Sequence, residues 1–319
     1  DMAAANLVEP GDKALVVNTG YFGDRFAAIL ERYGAKVTEV RAAAIGDEPE
    51  LTEVEAALKA DQFKLMTVTH VDTSTAVGAD VQALSALGRR YGALVVVDGV
   101  CSVAGEEMRQ EEWGIDLAMT ASQKAIGVPP GLALVVAGPR AIQSFHQRRE
   151  PVLNYYADWT QWLPIMEAYE ERRPSYYGTP PVNLIWALNV SLGQILDEGM
   201  VARFRRHRWL SDALKAGIEA LGMSQVPVSP SKTATTLTAP YYPDGVDAAV
   251  LKEISQAGVI LAGGLHPEIK ARYFRIGHMG AVTPSDILTT VGAIEHGLAQ
   301  VGYEFEFGAG LAAAQEVLG

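Results

Sequence analysis

The sequence predicts an α/β protein: a mostly parallel sheet flanked by helices, followed by a smaller C-terminal α+β unit. Three observations lead there. Short runs rich in Val, Leu and Ala alternate with amphipathic stretches at helical spacing as far as residue 137. The alternation then stops, and a long helical region follows that breaks near Gly199. Hydrophobic residues make up 49% of 319, enough apolar side chain to offset the ordering entropy of a core and enough length for one large and one small unit. Dividing the chain at the break gives residues 1–199 and 200–319.

Taken in order, residues 13–19 are a short apolar run, and residues 22–33 carry apolar side chains at helical spacing up to Gly34. Residues 36–41 alternate as a strand does, 51–60 are helical, and 65–70 form a buried-strand run. A helix over 81–91 stops at Gly92. Residues 93–98 (Ala-Leu-Val-Val-Val-Asp) are the clearest buried parallel strand, with 117–121 and 132–137 as two more. Apolar strands separated by helices belong to a sheet covered on both faces, whose carboxyl ends collect ligands. Residues 148–181 turn aromatic and irregular, reading either as a surface loop packed on its own rings or as a segment reaching an active site or a partner subunit. Pro180-Pro181 opens the helical region that runs to Gly222. Beyond it lie an expected strand over 235–239, a helix over 246–256, strands at 259–260 and 273–276, and a helix over 284–301. The tail after Gly302 carries no clear pattern.

Asp and Glu number 38 against 26 Lys and Arg, for a formal net charge of −12. So acidic a chain repels phosphate backbones and anionic lipids, which argues against nucleic-acid and membrane partners. A single cysteine, Cys101, leaves no internal disulfide and no cysteine-built zinc site. No apolar run approaches the ~18 residues of a membrane span, and the start has neither the basic nor the apolar part of a signal peptide. The expected compartment is the cytoplasm.

Two places carry chemistry. Asp98 ends the most apolar strand, and a carboxylate emerging there needs a cationic or hydrogen-bonding partner. The strand over 117–121 runs into Ser122-Gln-Lys-Ala-Ile-Gly-Val-Pro-Pro-Gly, where Pro and Gly prevent a helix and hold Lys124 on a tight loop. A desolvated lysine is a nucleophilic amine able to form a Schiff base. Together the two match what pyridoxal 5'-phosphate requires: an imine-forming lysine and an acid that keeps the ring nitrogen protonated. An ordinary salt bridge or a solvated lysine would show the same spacing.

Longer stretches carry a resemblance. They are Asp98-Gly-Val-Cys-Ser-Val, Thr120-Ala-Ser-Gln-Lys-Ala-Ile-Gly-Val-Pro-Pro-Gly and Tyr273-Phe-Arg-Ile-Gly-His-Met-Gly. Val17-Asn-Thr-Gly-Tyr-Phe-Gly-Asp-Arg-Phe, Thr67-Val-Thr-His-Val-Asp-Thr-Ser-Thr-Ala-Val, Glu112-Trp-Gly-Ile-Asp and Leu261-Ala-Gly-Gly-Leu-His join them. Taken along the chain they resemble the class V (fold type I) aminotransferases, in the expected order and over nearly the whole length, in the alanine:glyoxylate and serine:pyruvate branch and its fungal-type alanine:glyoxylate members. The resemblance implies transamination of alanine or serine with glyoxylate or pyruvate on pyridoxal 5'-phosphate, in a homodimer with shared active sites. It makes Lys124 the cofactor-binding and proton-moving residue, Asp98 the partner of the ring nitrogen and Val100 the side chain under the ring. Phe22 falls where relatives stack an aromatic, with Tyr21 as the alternative. Ser74 falls at a cofactor-contacting hydroxyl, Gln123 near the phosphate, Tyr176 and Thr179 where the neighbouring subunit's phosphate is reached, and Arg275 on the substrate carboxylate. Relatives also have a segment before the point where this chain starts, including a phosphate-cradling loop, so residues 1–7 read as the rest of the helix after it.

Plain alternatives stand beside these roles. Ser74 and Thr75 could satisfy a strand end, Phe22 could be core, and Arg275 could form an interdomain ion pair. His70 and His278 read as structural, Cys101 as inert packing, and Arg203, Arg205, Arg206 and Arg208 as a solvated helix face. Two other functions share the pattern: a lyase or desulfurase on the same cofactor, which for a desulfurase needs a mobile cysteine, and a non-catalytic subunit of this fold.

Overall fold

Strands of Val, Leu and Ala can bury both faces only when helices cover each side, and the computed structural model, which describes all 319 residues, has that arrangement. The N-terminal half runs α1 (Met2–Leu7), β1 (Lys13–Asn18), α2 (Tyr21–Arg32), β2 (Lys36–Arg41), α3 (Leu51–Ala60), β3 (Leu65–Thr69), β4 (Val71–Asp72), β5 (Val77–Gly78), α4 (Val81–Arg90), β6 (Leu94–Asp98), α5 (Gln110–Trp113), β7 (Leu117–Ala121), β8 (Ala133–Ala137) and α6 (Pro139–His146). Six strands form one sheet in the order β2-β1-β3-β6-β7-β8. Successive residues sort to opposite faces. Val16, Leu65, Leu94 and Val96 pack with Leu7, Phe26 and Phe145 of α1, α2 and α6, while Val17, Met66, Val95 and Val97 pack with Val54 and Leu84 of α3 and α4.

The chain continues through α7 (Trp159–Glu170), α8 (Val182–Glu198), α9 (Met200–Ala220), β9 (Leu237–Thr238), α10 (Val250–Gln256), β10 (Ala262–Gly263), β11 (Phe274–Gly277), α11 (Pro284–Gln300) and α12 (Ala309–Leu318). A small antiparallel sheet, β10-β11-β9, lies in this half, and a separate core joins α9, α10, α11 and β11. No helix is long and apolar enough to cross a membrane.

Four expectations are corrected here. Residues 133–137 pair antiparallel with β7, at a partly exposed sheet edge. Residues 259–260 form no strand; Ile260 is exposed, and Ala262 and Gly263 pair with Arg275 and Phe274 instead. The aromatic stretch contains a helix, α7, that tolerates Pro164 inside it. The tail forms α12, whose small residues let it lie close on α9: a Cβ on Gly310 would come 3.0 Å from the Gly217 carbonyl.

Candidate active site

Asp98 closes β6, with Thr69 opposite it on β3 and Met119 on β7. Its Oδ1 accepts from the Val100 amide at 3.0 Å, and no donor of the chain reaches Oδ2. Burial pushes this carboxyl up, the Val100 amide opposes the rise, nearby Asp72 adds to it, and Lys124 and the chain's amino terminus act against it. Asp72, at the end of β4, is fully buried. Its Oδ1 accepts from the Ser74 amide at 2.8 Å and hydroxyl at 2.5 Å, and its Oδ2 from the Phe22 amide at 3.0 Å. Burial pushes Asp72 up as well, against those bonds. Asp72 sits within the run of residues 67–77, but only the fold shows that it caps α2 from a distance.

The fully buried Ser74 hydroxyl donates to Asp72 and accepts from the Tyr21 amide at 2.9 Å, and so fastens the start of α2. A Cβ on Gly20 would fall 2.5 Å from Ser74 Oγ, so glycine lets the helix start close to the turn. This fastening sets Phe22, which is half-buried and edge-to-face with Tyr21 at 5.5 Å. Val100 is also half-buried.

Lys124 lies in the turn after β7. Gly127, with φ +76°, returns its amide to the Lys124 carbonyl at 2.9 Å, and the Ser122 hydroxyl donates to Pro129 O at 2.8 Å. The lysine is half-buried, has no carboxylate within ion-pair distance, and its charge acts on Asp98 and Cys101. Cys101 is 1% exposed, with its Sγ 2.7 Å from the Thr73 hydroxyl. Burial pushes the thiol up, which keeps it protonated and unsuited to the mobile nucleophile of a desulfurase.

Arg275, on β11, approaches from the C-terminal half. Its Nε donates to Gly263 O at 2.8 Å and its Nη1 reaches Thr73 O at 3.5 Å. It makes no ion pair, contrary to the interdomain salt bridge weighed above. Hydrogen bonds thus join Arg275 to Thr73 and Thr73 to Cys101, whose thiol, like Asp98, lies within reach of the Lys124 charge. Gln123, Tyr176 and Thr179 are not drawn into it. All three are exposed, and Tyr176 and Thr179 share a hydrogen bond of 2.9 Å with each other.

The arginine cluster is corrected in half. Arg205 and Arg208 are exposed, but Arg203 is buried and donates to Ala104 O and Ala125 O, both at 2.7 Å, while pairing with Glu198 at 2.7 Å. Arg206 also pairs with Glu198 and donates to Val282 O and Gly280 O. Hydrogen bonds from Arg206 and Arg203 hold Glu198 down at about 2. His70 and His278 are buried; burial pushes His70 down and His278 to about 3, so both stay neutral.

The residues present fit pyridoxal phosphate. The half-buried Asp98 lies within reach of the Lys124 charge and keeps an oxygen with no donor. A protonated heteroaromatic nitrogen would supply both the donor and the missing positive charge.

Residues 1–280 match the aminotransferase class-V family. The chain is 41% identical over 291 residues to alanine–glyoxylate aminotransferase 1 of Saccharomyces cerevisiae, covering 88% of this chain and 74% of that one. It superposes on the crystal structure of ureidoglycine–glyoxylate aminotransferase from Bacillus subtilis with a TM-score of 0.91 at 29% identity, over 99% of this chain and 81% of the other. Pyridoxamine–pyruvate aminotransferase from Mesorhizobium loti gives a TM-score of 0.89 at 29% identity, over 99% and 80%.

Proposed function

The chain belongs to the class-V aminotransferase family, and on that premise we propose that it transfers an amino group from a small amino acid, alanine or serine, to a small 2-oxo acid. The main reaction is alanine with glyoxylate, giving pyruvate and glycine; pyruvate is the other acceptor that the resemblance allows. The observation that carries this reading is one neighbourhood holding an unpaired Lys124, an Asp98 with an open oxygen, and an arginine with no carboxylate of its own.

Pyridoxal phosphate supplies, when bound, an aldehyde reactive toward amines and an electron-withdrawing ring. Lys124 Nζ would hold the aldehyde carbon and, when free, would take the proton from the substrate's Cα and deliver it to the carbon that carried the aldehyde. Asp98 Oδ2 would accept the ring N–H and keep that nitrogen protonated. Phe22 and Val100 would hold the ring, and Gln123 would serve the phosphate. Ser74 acts indirectly, by holding the helix start that carries Phe22. Arg275 grips the substrate carboxylate, where a planar fork suits the anion better than an ammonium would.

The same reading takes residues 1–199 as the cofactor unit and 200–319 as the smaller one, and makes the active species a homodimer. Only Ile195 is buried among the 17 residues of α8, while Ile185, Trp186, Val190 and Leu196 are exposed. An apolar face of this kind on a helix calls for a partner, and a second copy would also bring Tyr176 and Thr179 to a phosphate across the interface.

Borohydride reduction of the cofactor-loaded protein followed by peptide mass spectrometry tests the assignment. The expected adduct is on Lys124, with glycine and pyruvate formed from L-alanine and glyoxylate, and K124A loses both while still binding the cofactor. An adduct on another lysine, or undiminished turnover by K124A, would sink the reading.

A further inference from the structure

Tyr273 stands one residue before β11 and is completely buried. Its phenol oxygen accepts from the amides of Leu265 and His266, each at 2.8 Å, and donates to the carbonyl of Ser74. One hydrogen and two lone pairs are all that a phenol offers, so the group is fully used. The two amides belong to the loop after β10; the carbonyl belongs to the turn between β4 and β5. Arg275, two residues farther along, bridges the same gap, with Nε on Gly263 O and Nη1 toward Thr73 O. Tyr273 therefore holds both peptide segments on which the guanidinium rests, and Arg275 Nη2 is left without a partner in the chain.

We propose that Tyr273 is a positioning residue for carboxylate recognition: its hydroxyl locks residues 263–266 against residues 72–76, so that the Arg275 fork is set before a substrate arrives. This rests on the carboxylate role given to Arg275 above. A ring that merely filled space would need no hydroxyl. Y273F keeps the packing but leaves two buried amides unpaired and cuts the tie between loop and turn. A binding fork loses its value once its geometry drifts by about 0.5 Å or 10–20°.

The test compares L-alanine with ethylamine, the same amine without the carboxylate, in the first half-reaction of the pyridoxal-phosphate-loaded protein, and measures propionate binding by calorimetry. Y273F should reduce the preference for alanine over ethylamine by about tenfold and weaken propionate by a similar factor, the loss expected from one buried hydrogen-bonded tie. The ethylamine rate should stay within about twofold, which a general loosening of the fold would not allow. Equal falls for both amines, or an unchanged preference, would overturn the proposal. R275Q separates the two layers. If R275Q keeps the preference, the reading of Arg275 fails; if R275Q loses it and Y273F keeps it, only the role of Tyr273 fails. Should Y273F not fold, hydrogen exchange on the unaltered loaded protein decides. Saturating propionate should slow the Leu265 and His266 amides by about tenfold relative to those of β6, and no slowing overturns the proposal.

Discussion

Arg203 is the residue whose loss should couple stability to chemistry most directly. It is 5% exposed, and its guanidinium holds Ala104 O and Ala125 O at 2.7 Å each. Ala125 follows Lys124 in the turn, and both alanines are buried, so water cannot replace the lost donors. R203M fills much of the volume but leaves two buried carbonyls unpaired, at about 1.5 kcal/mol each. The ion pair adds little to that, because Glu198 keeps Arg206 at 2.6 Å. The expected loss is about 3 kcal/mol of unfolding free energy, with R203K recovering about half, since an ammonium cannot span both carbonyls. Urea unfolding followed by tryptophan fluorescence measures the first quantity, and Lys124 adduct formation, corrected for the folded fraction, measures the second. Adduct formation by R203M should fall below that correction. An R203M protein that unfolds within about 0.5 kcal/mol of the wild type would refute the idea that this arginine clamps the lysine turn.

Two further outcomes follow. Glu198 titrates near 2 in the folded chain against an ordinary 4.5, so its contribution is complete above the ordinary value and lost as pH falls from 4.5 toward 2. The stability gap between wild type and E198Q should be open at about pH 6 and close through that window; a gap independent of pH would show that the charge is not what stabilises. Placing a charge on the exposed α8 face with W186E should convert a dimer into a monomer by light scattering, with the thermal midpoint of the isolated chain little changed. A W186E protein that remains dimeric would move the interface elsewhere.

How much could be read from the sequence depended on whether the signal was local. β6 and the Lys124 turn were legible because a buried parallel strand is uniformly apolar and because Pro129, Pro130 and Gly131 forbid a helix. The direction of β8 was not given by its apolar run, which suits either orientation. It follows from the connection: the turn and loop between Ala121 and Ala133 contain no helix to carry a parallel crossover, so the chain returns antiparallel. α12 escaped because small residues that allow close helix approach make no hydrophobic stripe. At the site, residue types were legible but side-chain commitments were not. Ser74 and Thr73 are neighbours with hydroxyls, and only the register of the turn sends one to Asp72 and the other to Cys101. Arg203 and Arg206 looked like a charged surface because the carbonyls they hold are between 74 and 99 residues away in sequence, beyond any local pattern.

Those long-range commitments converge. The C-terminal half meets the sheet through Thr236, whose hydroxyl donates to Cys101 O at 2.7 Å, and through the Thr235 amide, which donates to Glu106. The Ala234 amide reaches Ala76 O at 3.0 Å, and Lys215 holds Thr233 Oγ1 and Ala234 O from behind. With Tyr273 and Arg275 these contacts fall on two short segments, residues 72–76 and 101–106, which lead directly from Asp72 and from Asp98. A salt bridge between exposed groups would leave such a joint soft and sensitive to ionic strength. Buried hydrogen bonds between backbone and side chain are directional and costly to leave unmade. The separation between the arginine fork and Lys124 is thus built into the same peptides that present the acid. On the proposed role of Arg275, substrate length would be selected by backbone geometry, so R275Q should weaken propionate binding without changing which chain length of amino acid reacts fastest.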